Sequence, residues 1–359
     1  MKALLLSAYD AVSHRVWADG LVEAFPGIEW TRLALPPRHF SWRIRANPLL
    51  WHLDAEEALD QPFDLVVATS MVDLATLLGL HPSLAGAHKV VYFHENQFAF
   101  PRSEKQMPRP EPAMVNLYSA LAADTVIFNS RYNRDSFFSG VSAFLARMPD
   151  RPKIGPRLER LSAVAEVLPV PLSDGAADAD SQRVTSAVRP RAGRRIVWNH
   201  RWEYDKNPED FFSALALLIE WEVAFEVVVM GQQFRDSPEV FDAARSWLGD
   251  RVLCWGEQSP VAYREWLASA DIVVSTTHHE FQGLAIMEAV ALGCVPLVPD
   301  RLCFPDYYAG AYRYPGDVES LATRLAGWLE DPASRPAPPD ADQWRWPMWR
   351  QRYREVLAI

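Results

Sequence analysis

The chain has 359 residues, 49% of them hydrophobic, which suits two domains of ordinary size, each with its own core. A formal net charge of -10 argues against a broad nucleic-acid-binding surface, though local basic clusters remain open. The three cysteines, Cys254, Cys294 and Cys303, have no metal-like spacing and cannot all pair, which fits the reducing cytoplasm.

Residues 2–7 read as a first strand rather than a signal peptide, because the apolar run is short. A loop over 8–13 leads to a helix from 14 to 25, and 29–35 makes a second strand. Residues 36–48 are basic and aromatic, with no clean period, and are expected to form a long surface loop. The strand at 64–69 is followed by a short helix to 79. The strand at 89–93 runs into His94, Glu95, Asn96 and Gln97. A proline-rich loop at 98–112 precedes a helix to 123, a strand at 125–128 and a helix from 130. Residues 164–170 look like the last strand of this N-terminal domain, 1–172. Apolar strands alternating with amphipathic helices predict an α/β fold with a doubly wound parallel sheet.

Residues 173–193 lack any periodic pattern and make the best linker; Asp178 and Asp180 are spaced like a metal pair but fall within it. A second α/β domain spans 194–338. Its strands are 195–199, 225–230, 252–255, 272–275 and 295–298, and its helices 208–220, 238–248, 260–270 and 283–292. Residues 339–359 should end in an amphipathic helix that packs back toward the N-terminal domain. No run reaches the length of a membrane span.

Within NHRWEYDKNP, Arg201 and Lys206 follow a strand end, where doubly wound sheets bind ligands. Arginine offers a forked donor to phosphate oxygens and lysine a compact charge; a solvated turn is the alternative. MGQQ puts Gly231 and Gln232 at the next strand end, where a glycine lets backbone approach a ligand. The stretch HHEFQGLAIMEAVALGC carries Glu280 and Glu288 with seven residues between them. A helix starting near Gly283 would aim its N-terminus at the mouth of the sheet, which favours an anion. The two glutamates could be a general acid/base pair, a metal pair or acceptors for sugar hydroxyls. Nothing nearby completes an oxygen cage, so no metal is expected.

NHRWEYDKNP, MGQQF and EFQGLAIMEAVALGCVP together resemble the second domain of retaining GT-B glycosyltransferases of the family 4 type. In the first half, SAYDAVSHRVWADGL, YFHENQFAFP and TVIFNSRYNRDSF resemble the tRNA-queuosine α-mannosyltransferase group. The resemblance is strongest over 1–133 and 196–299. It implies two Rossmann-like domains facing across a cleft. Arg201 and Lys206 would hold the donor diphosphate, with Gly231 and Gln232 on the same donor side. Glu288 would bind the nucleotide ribose. Glu280, with the backbone N–H groups of Phe281, Gln282 and Gly283 and the neighbouring Leu284, would face the transferred sugar and its phosphate. His94 would hydrogen-bond the donor sugar, and Ser13, His14, Glu95 and Asn96 would lie on the acceptor side. One departure stands out. The first loop reads Asp10-Ala11-Val12-Ser13-His14, where many relatives of the fold carry a glycine pair, so an acceptor role fits this loop at least as well as phosphate contact.

The implied reaction moves mannose from GDP-mannose to the queuosine base at the wobble position of tRNA, with retention and without a metal or cofactor. A tRNA acceptor needs cations that track phosphates. The candidates are Arg38, Arg43 and Arg45, then Arg102, Lys105 and Arg109, then Arg131 and Arg134. Phe40, Trp42, Phe98 and Phe100 could stack on an extruded base. Residues alone leave the donor base and sugar open. They leave open transfer to a small metabolite or glycan, a sugar-nucleotide epimerase, and a non-catalytic sugar-nucleotide-binding protein. They give no oligomeric state.

Overall fold

Strands buried on both faces read as continuous apolar runs, and such runs pair in parallel. In the computed structural model, twelve strands form two six-stranded parallel sheets among the described residues, 1–100, 110–150, 152–173, 191, 193–233 and 237–359. Arg102, Lys105, Arg109, Asp178 and Asp180 lie outside the described residues. The first sheet uses β1 (Lys2–Ser7), β2 (Glu29–Ala34), β3 (Leu65–Thr69), β4 (His88–Phe93), β5 (Thr125–Phe128) and β6 (Ala165–Val167), ordered β2-β1-β3-β4-β5-β6. The second uses β7 (Arg195–Trp198), β8 (Glu226–Met230), β9 (Val252–Gly256), β10 (Ile272–Val274), β11 (Val295–Pro299) and β12 (Arg313–Tyr314), ordered β12-β11-β10-β7-β8-β9. One compact unit holds Met1–Pro171 with Trp346–Ile359, and the other holds Leu172–Arg345. In each sheet the order reverses once, between β1 and β3 and between β7 and β10. Open α/β sheets bind ligands beyond the carboxyl ends of their strands at such points.

Leu4, Leu6, Val66, Ala68, Val91, Phe93, Val126 and Phe128 anchor the core of the first unit. Its C-terminal helix, Trp346–Val356, is tied to it by Tyr353. That hydroxyl donates to Pro169 O at 2.9 Å and accepts from Trp17 Nε1 at 3.1 Å. The second core is aromatic. Trp198 at the end of β7 and Trp202 of the NHRW stretch are buried in it, and Trp202 stacks on Phe241 at 3.9 Å. No helix among the described residues is long and apolar enough to cross a membrane.

The stretch 36–48 departs from expectation. Phe40–Asp54 is a helix with Pro48 inside it. Its buried positions, Ile44, Asn47, Pro48 and Trp51, do follow a helical period, but two of the four residue types hide it. Proline removes the N–H that would serve Ile44 O. Asn47 supplies donors instead: its Nδ2 reaches Arg43 O at 2.7 Å, Ile44 O at 3.3 Å and Met71 O at 3.2 Å. Its Oδ1 accepts from Asp73 N at 3.1 Å. Asn47→Ala therefore leaves several buried backbone groups unpaired and should cost about 2–4 kcal/mol, read as a lowered melting temperature.

Candidate active site

In the second unit, hydrogen bonds stitch the turn after β7 to the loop after β10. His278 N donates to Asp205 O at 2.8 Å, and Thr277 Oγ1 to the same oxygen at 2.9 Å. Thr276 Oγ1 donates to Asn207 O at 2.7 Å. The turn Tyr204–Lys206 is thereby held against Glu280. Lys206 Nζ donates to His279 O at 2.9 Å and to Glu280 Oε2 at 3.2 Å, and Asp205 Oδ2 lies 3.3 Å away.

Burial alone would push the Lys206 ammonium down. The Glu280 and Asp205 carboxylates outweigh it, so its pKa ends raised. Burial likewise pushes the Glu280 carboxyl up, but Lys206 and His200 override it and bring the value to about 2. His200 is pushed down to about 4 by burial and then by Lys206. The result is a permanent lysine cation beside a permanent carboxylate and a neutral imidazole. A carboxylate with so low a pKa is a poor general acid or base, so Glu280 is chemically suited to accept hydrogen bonds. Arg201 is half exposed and engaged by Glu203 at 2.6 Å. The two predicted cations thus occupy different settings, one enclosed and one at the surface.

Expectation gave the amides of Phe281, Gln282 and Gly283 to the transferred sugar and phosphate. The first two instead point at Glu280 Oε1, from 3.1 and 3.5 Å. A buried carboxylate requires donors, and these are the nearest. The Phe281 ring meets His279 edge-on, and the Gln282 side chain is buried with Nε2 3.5 Å from Met287 Sδ. Gly283 has φ 83° and opens the helix Leu284–Ala291, so that helix N-terminus does sit beside Glu280. Gly231 serves a close approach within the fold itself. A Cβ there would lie 1.8 Å from His200 O, so the glycine lets the turn after β7 cross the end of β8. Gln232 is exposed, and its carbonyl accepts from Trp202 N at 3.0 Å.

Glu288 lies on the exposed side of Leu284–Ala291 and accepts from Tyr263 Oη at 3.0 Å. Desolvation raises its pKa, and Tyr263 and Arg264 partly offset that rise. Sequence reasoning missed Tyr263, Asp205 and His200 as site members. The last two fell inside a stretch already singled out, but Tyr263 carries no local signal.

In the first unit, His94 follows β4 and is buried between aromatic rings. It stacks on His14 at 4.1 Å, with Tyr92 and Trp17 within 4.9 Å. Burial and then His14 hold the His94 imidazole well below its ordinary value, so it is neutral. Its Nε2 has no hydrogen-bond partner among the described residues. His14 Nε2 meets Glu95 Oε2 at 3.1 Å, and Ser70 Oγ donates to Glu95 Oε1 at 3.1 Å. His14, His94, Glu95 and the unforeseen Ser70 therefore converge at the switch point between β1 and β3. Ser13 is exposed on the first turn of Val12–Ala24. Asn96 does not join the cluster. It is fully buried, its Nδ2 bound to Asn133 and Ser136 and its Oδ1 to the amides of Phe98 and Ala99. Its side chain shapes the loop.

Two doubly wound units of this kind make the chain a protein of the GT-B architecture, and solved structures agree. Sucrose-phosphate synthase from Thermosynechococcus elongatus matches with TM-score 0.71 at 15% identity, covering 100% of this chain and 99% of that one. HepE from Anabaena, solved with UDP and glucose, matches with TM-score 0.66 at 13% identity, covering 100% and 99%. At such identities the likeness is one of fold. Residues 188–342 match the family model of glycosyl transferases group 1, and the chain is a glycosyltransferase. Residues 2–172 match the model of the tRNA-queuosine alpha-mannosyltransferase N-terminal region. The tRNA-queuosine alpha-mannosyltransferase of Drosophila melanogaster is 33% identical over 308 residues, 85% of this chain and 81% of that protein. The chain belongs to the tRNA-queuosine alpha-mannosyltransferase family.

Proposed function

We propose that this enzyme transfers mannose from GDP-mannose to the queuosine base of a tRNA in the cytoplasm, with retention of configuration and without a metal. The observation that carries the acceptor is the match of the N-terminal unit to the tRNA-queuosine alpha-mannosyltransferase model. The donor side rests on the Lys206–Glu280 site and on Glu288. The bond from the sugar to the diphosphate breaks, and the electron pair leaves with the nucleoside diphosphate. The acceptor oxygen bonds to the same sugar carbon, and its proton passes to a β-phosphate oxygen on that face. Charge therefore grows on the phosphate. Lys206, Arg201 and the helix N-terminus at Gly283 stabilise it where it develops. Glu280 accepts from the transferred sugar, Glu288 binds the ribose, and neutral His94 serves as a hydrogen-bond partner rather than a cation.

On the first unit, Trp42 is 77% exposed in the helix Phe40–Asp54, and Phe40, Arg38 and Arg131 are exposed. Arg45 and Arg134 are already paired, with Asp73 and Asp135. Between 36 and 53 the chain has no acidic residue. This helix joins the His94 cluster through Asn47, which binds Met71 O beside Ser70. We assign it to the RNA. Incubation with GDP-mannose and tRNA that carries or lacks queuosine should yield a mannosylated nucleoside by mass spectrometry in the first case only. Trp42→Ala should weaken tRNA binding about tenfold, a stacking-sized loss, with donor KM unchanged. No hexose on any queuosine tRNA would overturn the acceptor.

A further inference from the structure

Tyr263 belongs to none of the roles assigned above. It sits in the helix Pro260–Ser269, and its hydroxyl joins three elements. It donates to Glu288 Oε2 at 3.0 Å and accepts from Asn199 Nδ2 at 3.0 Å. The second N–H of Asn199 goes to Ala285 O at 2.8 Å, one helical turn before Glu288. Asn199 is 5% exposed and immediately follows β7, at the switch point of the sheet. The pair therefore fixes a carboxylate that stands on an exposed helix face.

A solvated glutamate gains little from a fixed partner, because side-chain entropy offsets the bond. Packing alone would be met by phenylalanine. Among the described residues, the tyrosine hydroxyl bonds only to Asn199 and Glu288. With Oε2 held, the carboxylate plane is set, and a carboxylate in a set plane can take two adjacent hydroxyls at once.

We infer that Tyr263 is a positioning residue that presets Glu288 to bind the vicinal hydroxyls of the donor's ribose. This rests on the reading of Glu288 as the ribose-binding group.

Initial-rate kinetics of Tyr263→Phe with GDP-mannose and with its 2′-deoxyribose counterpart test it. The donor KM should rise about tenfold with kcat within about twofold, the loss of one hydrogen bond to a charged group that serves binding alone. The KM of the 2′-deoxy donor should barely change, so discrimination between the two donors falls by the same factor. Acidification gives a second readout. Tyr263 and Arg264 both favour ionised Glu288 against desolvation. Removing the Tyr263 bond lets the carboxyl rise, so donor KM should begin to climb at a higher pH in the variant than in the wild type. Should Tyr263→Phe fold poorly, Asn199→Ala removes the other half of the support and should lower the same discrimination. Equal KM increases for both donors, or unchanged discrimination, would overturn the inference and leave a packing role. A wild type indifferent to the 2′-hydroxyl, with Glu288→Gln equally indifferent, would instead remove Glu288 from the ribose, and the inference with it.

Discussion

Lys206→Met is expected to lower sugar transfer about ten- to a hundredfold, because a charge-assisted bond to the leaving diphosphate is worth about 1.5–3 kcal/mol. It should also destabilise the second unit. The side chains of Lys206 and Glu280 are 9% and 21% exposed, and Asp205 lies alongside. Removing the cation leaves buried carboxylates without their counter-ion, at about 3–5 kcal/mol. The pH dependence separates this cause from lost packing. In the wild type Lys206 overcomes burial and holds Glu280 at about 2. A carboxyl depressed on folding contributes stability above its unfolded pKa, and that contribution is lost as pH falls through the folded value. Losing Lys206 removes the largest effect opposing burial, and the folded pKa of Glu280 is then expected to rise above the unfolded one. The sign then reverses, and protonation of Glu280 favours the folded variant. The melting deficit of Lys206→Met should thus be smaller at about pH 5 than at about pH 8. A deficit equal at both would assign the loss to packing, and near-normal transfer kinetics would take Lys206 out of the site.

Most strands were legible because parallel strands covered on both faces leave continuous apolar runs, as in Leu4, Leu5 and Leu6 of β1 and Leu65, Val66 and Val67 of β3. The helix Phe40–Asp54 was not. Its inward row includes Asn47 and Pro48, two residues that normally argue for a turn, and only the tertiary bonds of Asn47 to Met71 and Asp73 make them fit. The site divides in the same way. Lys206 and Glu280 lie in stretches that stand out singly, but 74 residues separate them, and only the stitching of Thr276, Thr277 and His278 to the turn at Asp205 and Asn207 brings them together. Without the family resemblance, nothing local would have paired them. Tyr263 and Glu288 are 25 residues apart on different helices, and a tyrosine on a helix has many ordinary roles. Glycine and amide positions were legible as special but not in their partners. At Gly231 the close approach is that of the His200 carbonyl, and the amides of Phe281 and Gln282 reach Glu280, tertiary partners that no local signal names.

Gly231→Ala is expected to destabilise the second unit by more than about 3 kcal/mol, a fall of roughly 6–12 °C in its melting transition. The backbone has φ 151°, and an added Cβ would lie 1.8 Å from His200 O and 2.8 Å from His200 C. Both are backbone atoms of a turn that cannot rotate aside as a side chain could. The turn is held twice at Trp202, whose N donates to Gln232 O at 3.0 Å and whose ring stacks on Phe241 in the core. A methyl group at 231 must therefore lift the β7 turn off the end of β8, breaking that bond and loosening the stack. The same turn carries His200, Arg201 and Lys206, so donor binding should weaken together with stability. Gln232→Ala, one residue on and exposed, is the control, with a stability change within about 0.5 kcal/mol. Calorimetry of the two variants decides. If Gly231→Ala melts with Gln232→Ala, the close approach of the two strand-end backbones is not what the glycine serves. If it melts far below, the glycine at this strand end positions the donor site by letting His200 pass over β8.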